Sequence, residues 1–204
     1  MRDYDAALQG TRFWDAEVER VYAAEGEALV DCALQSKEEV VALCRFIETE
    51  GIRSYLEIGI WTGRLVTALH GVFGFSRVAA CDHGWAEQCG FAISVPGDAH
   101  FFRGDSGTDA YVAWRKALGP IDLVLIDANH HYRAVRRDFE IERAQPHRFL
   151  ALHDITGARR GTEGVARLWS ELDGHKTEIV EPESKMGIGI WSDRGLSPPT
   201  PNAS

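Results

Sequence analysis

Between residues 53 and 191 the chain alternates short apolar runs with longer stretches whose apolar residues recur at helical spacing. The clearest short run is Ile121-Asp122-Leu123-Val124-Leu125-Ile126. Near-continuous apolarity over so few residues marks a strand covered on both faces, as in a parallel sheet. Strands are predicted over 53–58, 77–82, 100–103, 121–127 and 148–153, with helices over 63–73, 109–118 and 131–144 between them. A further helix over 162–172, begun by Thr162 or Gly161, precedes two late strands over 176–180 and 187–191. Upstream, Ser36-Lys37-Glu38-Glu39 has the form of a capping box. Val40, Val41, Leu43, Cys44 and Ile47 then share one helical face, and Gly51 is placed to end it. Residues from Gly10 to about Cys32 carry apolar positions (Phe13, Val18, Val21, Tyr22) at mixed helical spacing, read as one helix packed at the sheet edge.

This order predicts an α/β fold, a Rossmann-like doubly wound sheet of seven strands. The sheet is expected to be mostly parallel, with a closing antiparallel hairpin and helices on both faces. Three regions follow: an N-terminal helical extension over 1–35, the main domain over 36–193, and a disordered tail over 194–204 rich in Pro and Ser.

The chemistry concentrates at strand ends. Ser54-Tyr55-Leu56-Glu57-Ile58-Gly59-Ile60-Trp61-Thr62-Gly63 is a strand ending in an acid, then a glycine turn that opens a helix. A dinucleotide fingerprint puts bare glycine backbone against a pyrophosphate. Here Glu57 stands in place of its first glycine and would repel phosphates at short range. The same acid suits a cationic, ribose-bearing ligand, and E-x-G-x-x-x-G resembles the first motif of class I S-adenosylmethionine-dependent methyltransferases.

Ligands of open parallel sheets bind beyond the carboxyl ends of the strands, and each predicted strand delivers a polar group there. Asp82 ends the second and is placed for ribose hydroxyls. Asp105 and Ser106 follow the third, near the expected adenine, although Asp105 has an equal claim as a helix N-cap. Asp127-Ala128-Asn129-His130-His131-Tyr132 follows the fourth and His153-Asp154 the fifth. Asp127, His153 and Asp154 supply ligands for a divalent ion, and His130 is the candidate base.

Together Leu56-Glu57-Ile58-Gly59 with Gly63, Gly104-Asp105-Ser106, Ile126-Asp127 through His130, and Leu152-His153-Asp154 resemble the class I methyltransferases related to cephalosporin hydroxylase-like proteins. That group includes metal-dependent sugar O-methyltransferases of natural-product pathways. Gly164-Val165-Ala166-Arg167-Leu168-Trp169 and Gly187-Ile188-Gly189 extend the resemblance, which runs from about Glu38 to Trp191. It implies that Glu57, Gly59 and Gly63 line the methionine part of the cofactor, Asp82 the ribose, and Asp105 and Ser106 the adenine. It also implies that Asp127 with the His153-Asp154 pair holds magnesium and that His130 acts as base. His153 stands where these relatives have glutamate, which shifts the expectation towards a transition metal. The usual proline-glycine-glycine turn before the fifth strand is replaced by Gln145-Pro146-His147-Arg148-Phe149.

Composition narrows the partners. With 45% hydrophobic and 26% charged residues, the 204-residue chain is ordinary for a globular protein. No run approaches a membrane span, and the first residues lack a signal-peptide core, so the cytoplasm is the expected location. A net charge of -9 argues against nucleic acid. Cys32, Cys44, Cys81 and Cys89 lack C-x-x-C spacing and read as reduced, non-catalytic thiols. The expected partner is a small-molecule hydroxyl acceptor. The oligomeric state is left open, with a homo-oligomer one option. Two competing functions fit the same residues: a non-catalytic cofactor-binding module, and a metal-dependent hydrolase or oxygenase. Trp61, Trp85 and Tyr132 are candidate pocket walls, although core packing is the commoner fate of such rings.

Overall fold

The computed structural model describes residues 2–25, 30–182 and 184–193. The proposed tail over 194–204 lies outside the described residues. Two short N-terminal helices come first, α1 (Tyr4–Ala7) and α2 (Ala16–Glu25), then α3 (Lys37–Glu50). From there strands and helices alternate: β1 (Ser54–Ile58), α4 (Arg64–Phe73), β2 (Arg77–Asp82), α5 (Trp85–Gln88), β3 (His100–Arg103) and α6 (Asp109–Leu118). The second half comprises β4 (Ile121–Ile126), α7 (Tyr132–Arg143), β5 (His147–His153), α8 (Glu163–Glu171), β6 (His175–Ile179) and β7 (Ile188–Ser192).

The seven strands form one sheet in the order β3-β2-β1-β4-β5-β7-β6. The first five pair in parallel, whereas β7 runs antiparallel to β5 and β6 antiparallel to β7. The expected doubly wound sheet with a closing hairpin is therefore present. Chain order reverses between β1 and β4, and such a switch point opens a crevice at the strand ends.

Alternation along the strands builds two cores. Tyr55, Leu123, Leu125 and Ala151 face α3 and α4, where Val40, Leu43, Ile47, Val66 and Leu69 are buried. Leu56, Ile58, Val124, Ile126 and Leu152 face the other way, onto Tyr111, Val135, Phe139 and Trp169. The side-chain period of two along a strand produces this division.

Several local expectations change. The N-terminal stretch does not form one helix from Gly10 to Cys32; the described helix is Ala16–Glu25. Asp15 starts it, its carboxylate accepting from the N–H groups of Glu17 and Val18, both at 2.9 Å. Trp14 before it is extended and forms a β-bridge with Ser36. The capping box is only half made. Ser36 accepts from the Glu39 N–H, but the Glu39 side chain turns away and accepts from the Gly187 N–H at 3.1 Å. The apolar surroundings of α3 leave Glu39 fully buried, and the hairpin loop before β7 supplies the donor. Thr162 precedes α8, but its hydroxyl donates back to the Arg159 carbonyl at 2.8 Å instead of capping the helix. Gly51 ends α3 in the left-handed conformation, as expected. Among the described residues no helix is long and apolar enough to cross a membrane.

Candidate active site

The switch point places the two decisive turns side by side. Gly59 donates to the Cys81 carbonyl and Asp127 donates to the Ile58 carbonyl, both at 2.8 Å, so the sheet ladder continues one residue beyond β1 and β4. The two turns are so close that a Cβ on Gly59 would sit 2.3 Å from the Asp127 carbonyl oxygen. Gly59 and Gly63 both have φ of +82°. These glycines serve a close backbone approach and left-handed conformation that other residues rarely adopt. Trp61, between them, also has positive φ (+51°), and its indole N–H donates to the Val30 carbonyl at 2.8 Å.

A cavity of about 370 Å³ opens above this point, a size suited to a small-molecule site. Of the catalytic, cofactor and metal candidates from the sequence, all but Gly63 line it: Glu57, Gly59, Asp82, Asp105, Ser106, Asp127, His130, His153 and Asp154. Gly63 lies behind the wall, packed against the Ser94 carbonyl. Trp61 and Trp85 line it as well. Tyr132 does not; it projects from the start of α7, hydrogen-bonded to Glu171 with Arg167 over its ring.

One end of the cavity holds the β1, β2 and β3 tips. Glu57 is 1% exposed and accepts from the Tyr55 hydroxyl at 2.8 Å. Burial, reinforced by Asp127 and Asp82, pushes its pKa well above the ordinary carboxylate value despite that hydrogen bond. In the free protein burial thus favours the neutral form of Glu57, and a bound cation would favour its charge. This modifies the reading of a standing anion. Asp82 is oriented by two backbone donors, Ile60 N–H at 3.0 Å and Gly84 N–H at 2.6 Å, one on each oxygen. Its remaining lone pairs are available to hydroxyls. Asp105 is no helix cap: Thr108 caps α6, accepting from the Tyr111 N–H. Asp105 instead accepts from the Gly107 N–H at 2.7 Å and from Arg137 at 2.9 Å. The Ser106 hydroxyl donates to buried Asp138 at 2.8 Å.

The other end is a cluster of two acids and two imidazoles. Asp127 Oδ1 lies 3.1 Å from His130 Nε2 and 3.2 Å from His153 Nδ1, while its Oδ2 accepts from Gln35 at 2.5 Å. Asp154 Oδ2 is 3.7 Å from both His130 Nδ1 and His153 Nδ1. His153 and Asp154 are sequence neighbours that a continuing strand would point to opposite faces. Asp154 has φ of +64°, and this break turns both side chains into one site. Donor atoms of Asp127, His153 and Asp154 all lie within 4.8 Å of one another. Two carboxylates and an imidazole so close, with buried atoms lacking a partner on both His153 and Asp154, fit a divalent cation.

Electrostatics bind the cluster together. For Asp127, burial opposes ionisation, but His153 and His130 outweigh it and hold the carboxyl well below its ordinary range. Burial likewise opposes protonation of His153, and Asp127 with Asp154 overcomes it, raising the imidazole to about 9. An unfolded histidine titrates near 6.5, so the fold favours the protonated form. The resulting stability is complete below about pH 6.5 and disappears as pH rises through about 9. The melting temperature of the metal-free protein should therefore fall as pH rises between these values, by the equivalent of a few kcal/mol. His153→Asn should flatten that slope in differential scanning calorimetry. Identical slopes in both proteins would contradict the pairing.

Sequence reading missed Gln35, Arg137, Asp138 and Arg159, all of which line the cavity. Arg137 and Asp138 sit in a charged stretch that resembles a solvated helix face, and Arg159 stands beside Arg160 in a polar loop with no motif around it. Nothing local distinguishes Gln35.

Residues 56–155 match the family model described as a methyltransferase domain. Over that stretch, just under half of its length, the chain is similar to a methyltransferase domain. Solved structures with this methyltransferase fold extend the likeness across nearly the whole chain. A putative caffeoyl-CoA O-methyltransferase from Staphylococcus aureus matches with TM-score 0.60 and 13% identity, over 93% of this chain and 97% of its own. An O-methyltransferase from Bacillus cereus, solved with S-adenosylhomocysteine (SAH), matches with TM-score 0.58 and 15% identity, over 94% and 92%. An apo TDP-rhamnose 3'-O-methyltransferase of calicheamicin biosynthesis matches with TM-score 0.53 and 14% identity, over 90% and 98%. At these identities the likeness is one of fold. A search of curated protein sequences finds no match.

Proposed function

We propose that the protein methylates a hydroxyl of a small molecule, of sugar or natural-product type, using S-adenosylmethionine and a divalent cation. The observation that carries this reading is one cavity lined at one end by the glycine turn with Glu57 and Asp82, and at the other by Asp127, His130, His153 and Asp154. Residues 36–193 are assigned as the catalytic domain and 1–35 as an extension of it.

In this reading Glu57, with Gly59, receives the amino-acid end of the cofactor, while Gly63 only shapes the turn behind the wall, and Asp82 takes the ribose. Asp105 and Ser106 lie towards adenine. Asp127, His153 and Asp154 hold the cation, magnesium or a transition metal. When bound, such a cation lowers the pKa of a coordinated hydroxyl. Asp127 also fixes the His130 ring through their 3.1 Å contact, and His130 takes the hydroxyl proton. Methyl transfer then requires alignment of oxygen, methyl and sulfur, which two fixed ends of one cavity favour.

Isothermal titration with SAH, followed by labelled methyl transfer to a panel of hydroxyl compounds, tests the proposal. Binding is expected, with turnover abolished by EDTA and restored by Mg²⁺, Mn²⁺ or Co²⁺. The rate should rise with pH, because only neutral imidazole accepts a proton. Burial opposes protonation of His130, but its bond to Asp127 outweighs it and lifts the pKa above the ordinary value. Chelator-insensitive turnover would remove the cation; no SAH binding at millimolar concentration would refute the whole reading.

A further inference from the structure

We propose that Arg159 recognises an anionic group, carboxylate or phosphate, on the methyl acceptor. The inference rests on the proposed methyl transfer and adds the acceptor's charge class. Arg159 lies in the loop between β5 and α8 and lines the cavity. Its guanidinium carbon stands 3.8 Å from the centroid of the Trp14 ring and 4.7 Å from that of Tyr22. Those rings meet edge-on at 5.5 Å, and the Tyr22 hydroxyl donates to the Arg160 carbonyl at 3.1 Å, tying the loop to α2. The guanidinium is thus fixed by aromatic faces.

Its donors are nearly unused. The nearest acid is Asp154, with Arg159 Nη1 3.7 Å from Asp154 Oδ1, too far for a hydrogen bond. Neither Arg159 Nε nor Asp154 Oδ1 has a hydrogen-bond partner among the described residues. A planar fork held in place by stacking, with its N–H groups free, is the arrangement that takes a carboxylate or phosphate. Charge points the same way. Asp154 faces Arg159 at 3.7 Å; a divalent cation held by Asp127, His153 and Asp154 would engage that carboxylate and leave the guanidinium without a counterpart at that end of the cavity. An acidic hydroxyl compound supplies it, and its hydroxyl is then held beside His130.

The test uses SAH-saturated protein and two matched pairs of probes in isothermal titration: 2-hydroxybenzoate against 2-hydroxybenzyl alcohol, and ribose 5-phosphate against ribose. At least one anion should bind about 10–100-fold more tightly than its neutral counterpart, the worth of a charge-assisted hydrogen bond. The pair that responds separates a carboxylate ligand from a phosphate. Arg159→Met should erase the preference while SAH still binds, and Arg159→Lys should keep part of it as a point charge. Trp14→Leu should weaken it by releasing the stack. Absence of any anion preference in the wild type, absence of binding by either pair, or a preference that survives Arg159→Met overturns the proposal. Failure of SAH itself to bind would instead defeat the underlying methyltransferase reading.

Discussion

Glu142→Ala is expected to destabilise the protein by about 3–5 kcal/mol, the cost of leaving a buried charge unpaired. Glu142 and Arg115 are both fully buried, with Arg115 Nε donating to Glu142 Oε2 at 2.7 Å. The Tyr111 hydroxyl donates to the other carboxylate oxygen at 2.6 Å. Alanine would strand both donors. Arg115 would retain only its bonds to the Gly119 and Pro146 carbonyls, which accept hydrogen bonds without neutralising charge. For a chain of this size the loss corresponds to a fall of roughly 6–20 °C in melting temperature, measurable by calorimetry. A paired Arg115→Met, Glu142→Leu variant should recover much of it, because apolar replacement of a buried ion pair is often neutral or better. If the single and double variants melt together, the network is not what holds α6 to α7.

Asp127→Asn is expected to lower the turnover number by about 10²–10⁴ while changing SAH affinity little. That range is the ordinary worth of a positioned base, and loss of acceptor alignment pushes the effect towards its upper end. Asp127 is the hub of the cluster, taking His130 and His153 on one oxygen and Gln35 on the other. An amide keeps its size but loses the charge that holds the imidazoles. His153 would lose the larger of the acidic influences that raise it, so the pH dependence of melting should weaken in the same variant. Single-turnover kinetics beside SAH titration checks the split. An SAH affinity that collapses along with turnover would mean that the two ends of the cavity are not separable.

The sheet was legible because its information is local. Five apolar runs separated by helical periods can bury themselves only as a layered α/β sheet, and observed strand limits differ from the predicted ones by a residue or so at each end. The glycine turn was equally plain, since Glu57-x-Gly59 needs no distant contact to be noticed. Where a local pattern had two outcomes, the sequence misled. Ser36 to Glu39 read as a closed capping box, yet the deciding partner of Glu39 is Gly187, on the far side of the chain. Asp105 had two roles of equal weight until Thr108 took the helix cap and Arg137 took the acid.

The chain by itself determined which chemical groups sit at the ends of the strands, because strand boundaries follow from the alternation of burial and turn residues. It also determined that a Rossmann-like sheet would bring those ends to one edge. Tertiary structure decided how they meet. The positive φ at Asp154 turns two neighbouring side chains into one site, and the β1–β4 switch brings Asp127 against Gly59. The N-terminal segment lays Trp14 and Tyr22 over Arg159, more than a hundred residues away. No spacing rule encodes such meetings, since they depend on backbone geometry and on contacts between segments that are neighbours only after folding.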